Sequence, residues 1–326
     1  MINESAPQRL KMCICYRKDG IGKRLIHLVE VTKMARLLDV PLIVLWRTNA
    51  ANFIYPSKLG DILDERYYDY INIEGAFKSP KRGIHLASFL RNAGILTLQD
   101  PILTESERIL KPFDVKTINE LEQLNECKYF EPKKFDFDIE EVKSNYDVLF
   151  MGGYDGQWVP IPKSSINTNT TQATIIKPKP SIVEQARIYV ENNSIREAIG
   201  VHIRRGDRVI DDKLSNMLAT TDSYYRYIDG ISETNRIYLA TDSKEIEEEF
   251  KTKYGSRMIP RGELSVGYDT TEQIVDSMRE IMIMSEAEEV LLCCSGFSNM
   301  VGLLKKEKDK IVFMHTERTK PYKIFI

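Results

Sequence analysis

Short, uninterrupted apolar runs alternate along this chain with longer stretches of helical periodicity. Residues 11–16 form the first run and read as a buried strand, followed by a turn at 17–20. Over 22–38, Leu25, Leu28, Val29, Thr32, Ala35 and Leu38 recur at spacings of three and four, which places them on one helix face. Asp39-Val40-Pro41 ends that helix, because proline cannot continue it. Residues 42–46 are again wholly apolar, as a central parallel strand requires. Strand, helix and strand at this spacing predict a βαβ unit with parallel strands.

The middle third is less patterned. Tyr67-Tyr68-Asp69-Tyr70 suits either a strand or an aromatic surface, 89–96 and 116–124 read as helices, and 147–151 reads as a strand before the turn at Gly152-Gly153. Residues 159–180 hold Pro160, Pro162, Pro178 and Pro180 around a Ser/Thr/Asn-rich centre, and are read as a linker or long exposed loop. Beyond it the alternation is regular. Helices are expected over 181–192 (Ser181 as N-cap with Glu184 completing a capping box), 222–231, 243–253 (capped by Ser243), 271–287 and 297–306. Strands are expected over 199–203, 236–240, 290–294 and 311–314. The fold class is therefore α/β: two Rossmann-like domains facing a cleft, an N-terminal one over 1–160, a linker over 161–180 and a C-terminal one over 181–326. In such sheets ligands collect at the carboxyl ends of the strands, so the informative residues are those just past each strand.

Composition narrows the partners. A chain of 326 residues is long enough for two domains, and 46 Lys plus Arg against 48 Asp plus Glu leave a formal charge of −2. That balance gives no global field for nucleic acid or an anionic membrane, while leaving room for a local basic site. The five cysteines, Cys13, Cys15, Cys127, Cys293 and Cys294, are odd in number, and most lie in strand-like runs; they read as reduced thiols of a cytoplasmic chain. No CxxC pair occurs, which argues against a structural zinc site. The N-terminal segment lacks a signal-peptide pattern and no run reaches the roughly 20 apolar residues of a membrane span. The sequons at Asn169 and Asn193 are accordingly expected to stay unmodified.

Four strand exits carry candidate chemistry. Gly20-Ile21-Gly22 sits between strand and helix, where glycines allow either a simple tight turn or close approach of a phosphate or sugar to the helix N-terminus. A dinucleotide fingerprint would need glycine at position 25, which is Leu, so NAD is disfavoured. The most informative segment is Val201-His202-Ile203-Arg204-Arg205-Gly206-Asp207-Arg208. Strand alternation puts His202 and Arg204 opposite Val201 and Ile203. Guanidinium groups at the exit of a central strand cost desolvation energy that a diphosphate would offset through bidentate bonds; the plainer alternative is an Arg–Asp ion pair. In Thr241-Asp242-Ser243, the residues cap the next helix, or Asp242 faces the cleft. Ser295-Gly296-Phe297-Ser298 offers small hydroxylated residues at a helix start, which suits a phosphate. Asp136-Phe137-Asp138 has the spacing of a metal-chelating pair but no buried strand before it, and His27 and Cys293-Cys294 read as packing residues rather than ligands.

In this order the segments resemble the α1,6-fucosyltransferase family, that of the core fucosyltransferase and the rhizobial nodulation-factor fucosyltransferase. The resemblance is strongest from Ile199 to about Leu304, extends in pattern to the first 50 residues, and does not cover roughly 50–180. It implies a GT-B-like fold and inverting, metal-independent transfer from GDP-fucose, with no cofactor. By position it implies that His202 touches guanine, that Arg204, Arg205 and Arg208 hold the diphosphate, that Asp212 is the general base and that Ser295-Gly296 forms the phosphate turn. Glu280 stands where the family has a guanine-reading Asp, and Lys23 and Arg24 depart from the wider family. Gly20, Gly22, Asp207 and Asp242 complete the expected donor site, with Asp207 steadying the arginines and Asp211 the next candidate base. The expected partners are a nucleotide sugar and a glycan or other hydroxyl acceptor. The acceptor would meet the N-terminal domain, with aromatic residues in 46–55 and 154–158 as either sugar platforms or core residues. Another nucleotide sugar, or a non-catalytic relative that binds a nucleotide or sugar, is the alternative.

Overall fold

A computed structural model describes residues 8–17, 20–48, 56–73, 129–130, 138–152, 174–206, 219–231, 233–267 and 269–314. The chain divides into two compact units: Met1–Asp19 with Arg24–Lys177, and Gly20–Lys23 with Pro178–Ile326.

In the first unit the strands are β1 (Met12–Arg17), β2 (Leu42–Arg47), β3 (Tyr70–Ile73), β4 (Tyr129–Phe130) and β5 (Val148–Gly152). They form one parallel sheet in the order β3-β2-β1-β5-β4. Every residue of β2 is buried, which explains why it reads as an unbroken apolar run. The long helix α1 (Ile21–Leu38) connects β1 to β2, as expected. It stops because Asp39 takes a left-handed φ of +53°, which lets the Val40 N–H reach back to the Ala35 carbonyl at 3.0 Å, one residue before Pro41. His27 is buried and its Nε2 lies 2.9 Å from the Met151 carbonyl, so it ties α1 to β5. Among the described residues this unit also has the short α-helices α2 (Leu59–Ile62) and α3 (Ile139–Asn145).

The Tyr67–Tyr70 segment is a strand only at its end, where Tyr70 opens β3, and it is not an aromatic surface, because Tyr68 just before it is buried. The Tyr68 hydroxyl donates to the Ile175 carbonyl (2.7 Å) and accepts the Lys177 N–H (2.8 Å). Ile175 and Ile176 are buried, so residues 174–177 of the expected exposed linker pack into the first unit. The proline count masked two apolar residues that can be covered. The expected helices at 89–96 and 116–124, and residues 159–173, lie outside the described residues.

The second unit contains α4 (Pro180–Asn192), β6 (Ile199–Ile203), α5 (Thr221–Ile231), β7 (Ile237–Thr241), α6 (Lys244–Tyr254), α7 (Thr271–Ser285), β8 (Glu289–Leu292), α8 (Gly296–Leu304) and β9 (Ile311–Phe313). Its sheet is parallel in the order β7-β6-β8-β9. One expectation fails at α4. Its N-cap is Lys179, with no side-chain cap, and Pro180 fills the first helical position. Proline's fixed φ suits that position and its missing N–H would be unpaired there in any case, so the helix begins before Ser181 can cap it. Glu184 instead pairs with Arg187 at 2.6 Å.

The sheet's two faces are used differently. Val201 and Ile203 of β6 enter an apolar cluster with Tyr224, Ile228, Leu239, Phe250 and Leu291. On the other face a Cβ on Gly200 would stand 3.2 Å from Ala287 Cβ and 3.4 Å from Met284 Cε, so the end of α7 packs close against β6 there. Ser243 caps α6 as the sequence suggests, accepting from the Ile246 N–H, and at the head of α7 Thr270 forms a capping box with Gln273.

Candidate active site

The order β7-β6-β8-β9 places the first strand of the second unit between its two successors. The chain runs from β6 to β7 on one side and then crosses back past β6 to β8 and β9 on the other, so the sheet reverses its winding between β6 and β8. A crevice opens at the carboxyl ends of strands at such a reversal. Because all four strands are parallel, the exits at Arg204, Asp242 and Cys293 come to the same end of the sheet.

At the β6 exit the two arginines are organised by Asp242 from the neighbouring β7 exit. Arg204 Nη1 pairs with Asp242 Oδ2 at 2.6 Å, with the side chains 24% and 17% exposed. The other carboxylate oxygen, Oδ1, accepts the Arg205 backbone N–H at 2.7 Å. Asp242 therefore turns inward toward the arginines, while Ser243 caps α6. The Arg205 guanidinium donates to the Ala219 carbonyl (2.9 Å) and lies 3.4 Å from the Thr221 hydroxyl. Gly206 is needed where it stands: its φ is +29°, and a Cβ would lie 2.3 Å from Asp242 Oδ2. The sequence predicts an Arg–Asp pair or an anion site; the pair exists, with Asp242 as the partner.

His202 faces the other neighbour. It lies opposite Val201 and Ile203, as alternation requires, and is buried. Its Nδ1 is 2.6 Å from Ser298 Oγ, 3.4 Å from Cys293 Sγ and 3.5 Å from Ser295 Oγ. The Phe297 ring lies 4.4 Å away, tilted by 30°. Ser295 is the N-cap of α8 and accepts the Ser298 N–H at 3.0 Å. Burial pushes the Cys293 thiol up, keeping it protonated and unreactive, consistent with a packing role. Gly22 belongs to the same unit, and a Cβ on it would stand 2.2 Å from the Gly296 carbonyl oxygen, so two of the expected glycines meet backbone to backbone. Gly20 immediately precedes α1.

Glu280 lies on the buried side of α7. Both its oxygens accept from Arg261, and the Tyr238 hydroxyl donates to Oε1 at 3.2 Å. Arg261 also donates to the Thr241 carbonyl at 2.7 Å, which ties Glu280 to the last residue of β7. Sequence reasoning missed Arg261 because it lies in an aperiodic loop. Its only signal was a basic residue two positions past the apolar Met258-Ile259 pair, which lies against β7.

Other expectations divide. Asp207, Arg208, Asp211 and Asp212 lie outside the described residues, as do Asp136 and 154–158. Asp138 caps α3 through the Glu140 and Glu141 N–H groups, so it serves as a helix cap rather than half of a chelating pair. Trp46 is buried, donates to the Ser57 carbonyl at 2.9 Å and carries the Arg24 guanidinium 5.0 Å above its ring, which makes it a core residue rather than a sugar platform. Among the described residues no group of three His, Cys, Asp or Glu side chains could hold a metal ion, and no helix is long and apolar enough to cross a membrane.

No family model matches the chain, and neither does any curated protein. Solved structures do. The crystal structure of NodZ α1,6-fucosyltransferase soaked with GDP-fucose superposes with a TM-score of 0.52 over 90% of this chain and 92% of that one, at 14% identity. The structure of fucosyltransferase NodZ from Bradyrhizobium gives a TM-score of 0.51 over 90% and 93%, again at 14% identity. At this identity the likeness is one of fold, and it agrees with the two parallel sheets: the chain has the GT-B-like α/β fold of the NodZ fucosyltransferases.

Proposed function

We propose that the chain is an inverting glycosyltransferase that moves fucose from GDP-fucose to a hydroxyl of a glycan or similar acceptor. The observation that carries this reading is the pair Arg204 and Arg205 at the exit of the central strand, where Asp242 binds the Arg204 side chain and the Arg205 backbone N–H, next to the winding reversal of the sheet. When the bond between the sugar and the β-phosphate breaks, negative charge grows on the leaving GDP. Two preset guanidinium groups stabilise that charge, filling the place of a divalent metal, so no metal is needed. Asp242 keeps Arg204 from standing as a bare, half-buried cation before the donor arrives. The phosphates would also meet the turn at Ser295-Gly296 and Gly20–Gly22, with Arg208 adding charge and Asp207 steadying the arginines. His202 and Glu280 would read the base, the latter with Arg261. Asp212 takes the proton from the attacking hydroxyl as its oxygen bonds to the sugar carbon.

The N-terminal unit is assigned the acceptor. The buried thiols of Cys13, Cys15 and Cys293 fit a reducing compartment, and we place the protein in the cytoplasm. A panel of GDP, UDP, CMP and ADP tests the donor class by thermal shift. A ligand at 100 times its dissociation constant adds about 2.7 kcal/mol of stability. GDP should shift the melting temperature most; an equal shift with UDP would remove guanine as the base.

A further inference from the structure

Ser298 is fully buried, and its hydroxyl accepts the Cys293 backbone N–H at 3.0 Å. Its own proton then needs an acceptor. His202 Nδ1 lies 2.6 Å away, whereas Cys293 Sγ is at 3.6 Å and is a weak acceptor. If Nδ1 carried the ring hydrogen, the Ser298 proton would face only that sulfur, an arrangement that leaves a buried donor almost unsatisfied. Ser295 reinforces the preference: its oxygen already accepts the Ser298 N–H, and its hydroxyl lies 3.5 Å from the same nitrogen.

We infer that Ser298 is a positioning residue that fixes neutral His202 with Nδ1 as acceptor and Nε2 carrying the hydrogen. The relay runs from the Cys293 N–H to the Ser298 oxygen and from the Ser298 hydroxyl to Nδ1, while Phe297 restrains the ring plane. Its consequence rests on the donor-site reading above. A neutral ring with its hydrogen on Nε2 supplies a donor, matched to the O6 acceptor of guanine and mismatched to the exocyclic amine that adenine carries at the same position. Ser298 touches no ligand in this scheme and acts through His202.

Nitrogen-15 NMR of histidine-labelled protein, without ligand and at about pH 7.5, reads the tautomer directly; His202→Gln identifies the signals. The expected pattern is a pyridine-like Nδ1 and a protonated Nε2 in the wild type, giving way to a mixture in Ser298→Ala. A protonated Nδ1 in the wild type would overturn the inference, and that measurement needs no variant of Ser298 to fold. Calorimetric GDP titration then completes a cycle with Ser298→Ala, His202→Ala and the double variant. Ser298→Ala should weaken GDP binding on the order of tenfold with His202 present and less than about twofold in the His202→Ala background. Equal losses in both backgrounds would mean a merely structural serine. If wild-type protein binds no GDP, the proposed function fails, while the tautomer measurement still decides the role of Ser298.

Discussion

Replacing Gly206 by alanine drives a methyl group into the carboxylate that organises the arginine exit. The new Cβ would stand 2.3 Å from Asp242 Oδ2 and 3.2 Å from its Cγ, on a backbone with φ of +29°. That carboxylate is not at liberty to move: one oxygen pairs with Arg204 at 2.6 Å and the other accepts the Arg205 N–H at 2.7 Å. Rotating it away forfeits a charge-assisted hydrogen bond worth about 1.5–3 kcal/mol. The left-handed backbone adds about 1–2 kcal/mol for a residue with a Cβ. Partial exposure of the ion pair reduces the first term, so we expect a net cost of about 2–3 kcal/mol. Thermal unfolding followed by circular dichroism should show the midpoint falling by on the order of 5–10 °C. The decisive comparison is made in Asp242→Ala protein, which lacks the obstructing carboxylate. There Gly206→Ala should cost only the backbone term, about 1–2 kcal/mol. Strict additivity of the two substitutions would refute the reasoning, because it would mean that Gly206 and Asp242 do not share one space.

The remaining predictions address the proposed chemistry. Arg204→Ala should lower kcat/KM by roughly 30- to 1,000-fold, the effect of about 2–4 kcal/mol of lost transition-state stabilisation, and near-normal turnover would reduce the arginine exit to a structural ion pair. Asp212→Asn should leave GDP affinity nearly unchanged and slow transfer about 10²–10⁴-fold, whereas Asp207→Asn should weaken GDP binding instead; calorimetry beside a transfer assay separates the two, and wild-type turnover by Asp212→Asn would move the base to Asp211. Activity should survive EDTA, and loss restored by manganese would show that the arginines do not replace a metal.

The second unit was the more legible half, for a physical reason. Its strands β6 and β7, and β8 after its first residue, are buried on both faces and so appear as continuous apolar runs, and side-chain caps such as Ser243 mark the helices between them. Alternation alone placed His202 opposite Val201 and Ile203. What pattern could not supply was pairing across the sheet. Asp242 and Arg204 come together only because β7 lies beside β6 in register, with His202 opposite Ala240 and Ile203 opposite Thr241. Arg261 escaped notice because its partner, Glu280, comes from a helix 19 residues further on. Ser298 was visible as one of several small residues, but its bond to His202 depends on β8 lying on the other side of β6. At α4 two local signals competed, and the proline at its first position prevailed over the capping-box pattern. Ile175 and Ile176 were hidden among prolines and polar residues, where two apolar positions are too few to show a period.

The most direct test of the account is donor cleavage by the purified protein. GDP-fucose is incubated with the chain in EDTA, with and without candidate acceptors, and release of GDP is followed by chromatography beside UDP-glucose as a control nucleotide sugar. The account predicts GDP release by the wild type, faster with a productive acceptor, with little UDP release and with the rate collapsing in Arg204→Ala. Release that is absent under every condition, or equal from both sugars and unaffected by Arg204→Ala, would contradict it.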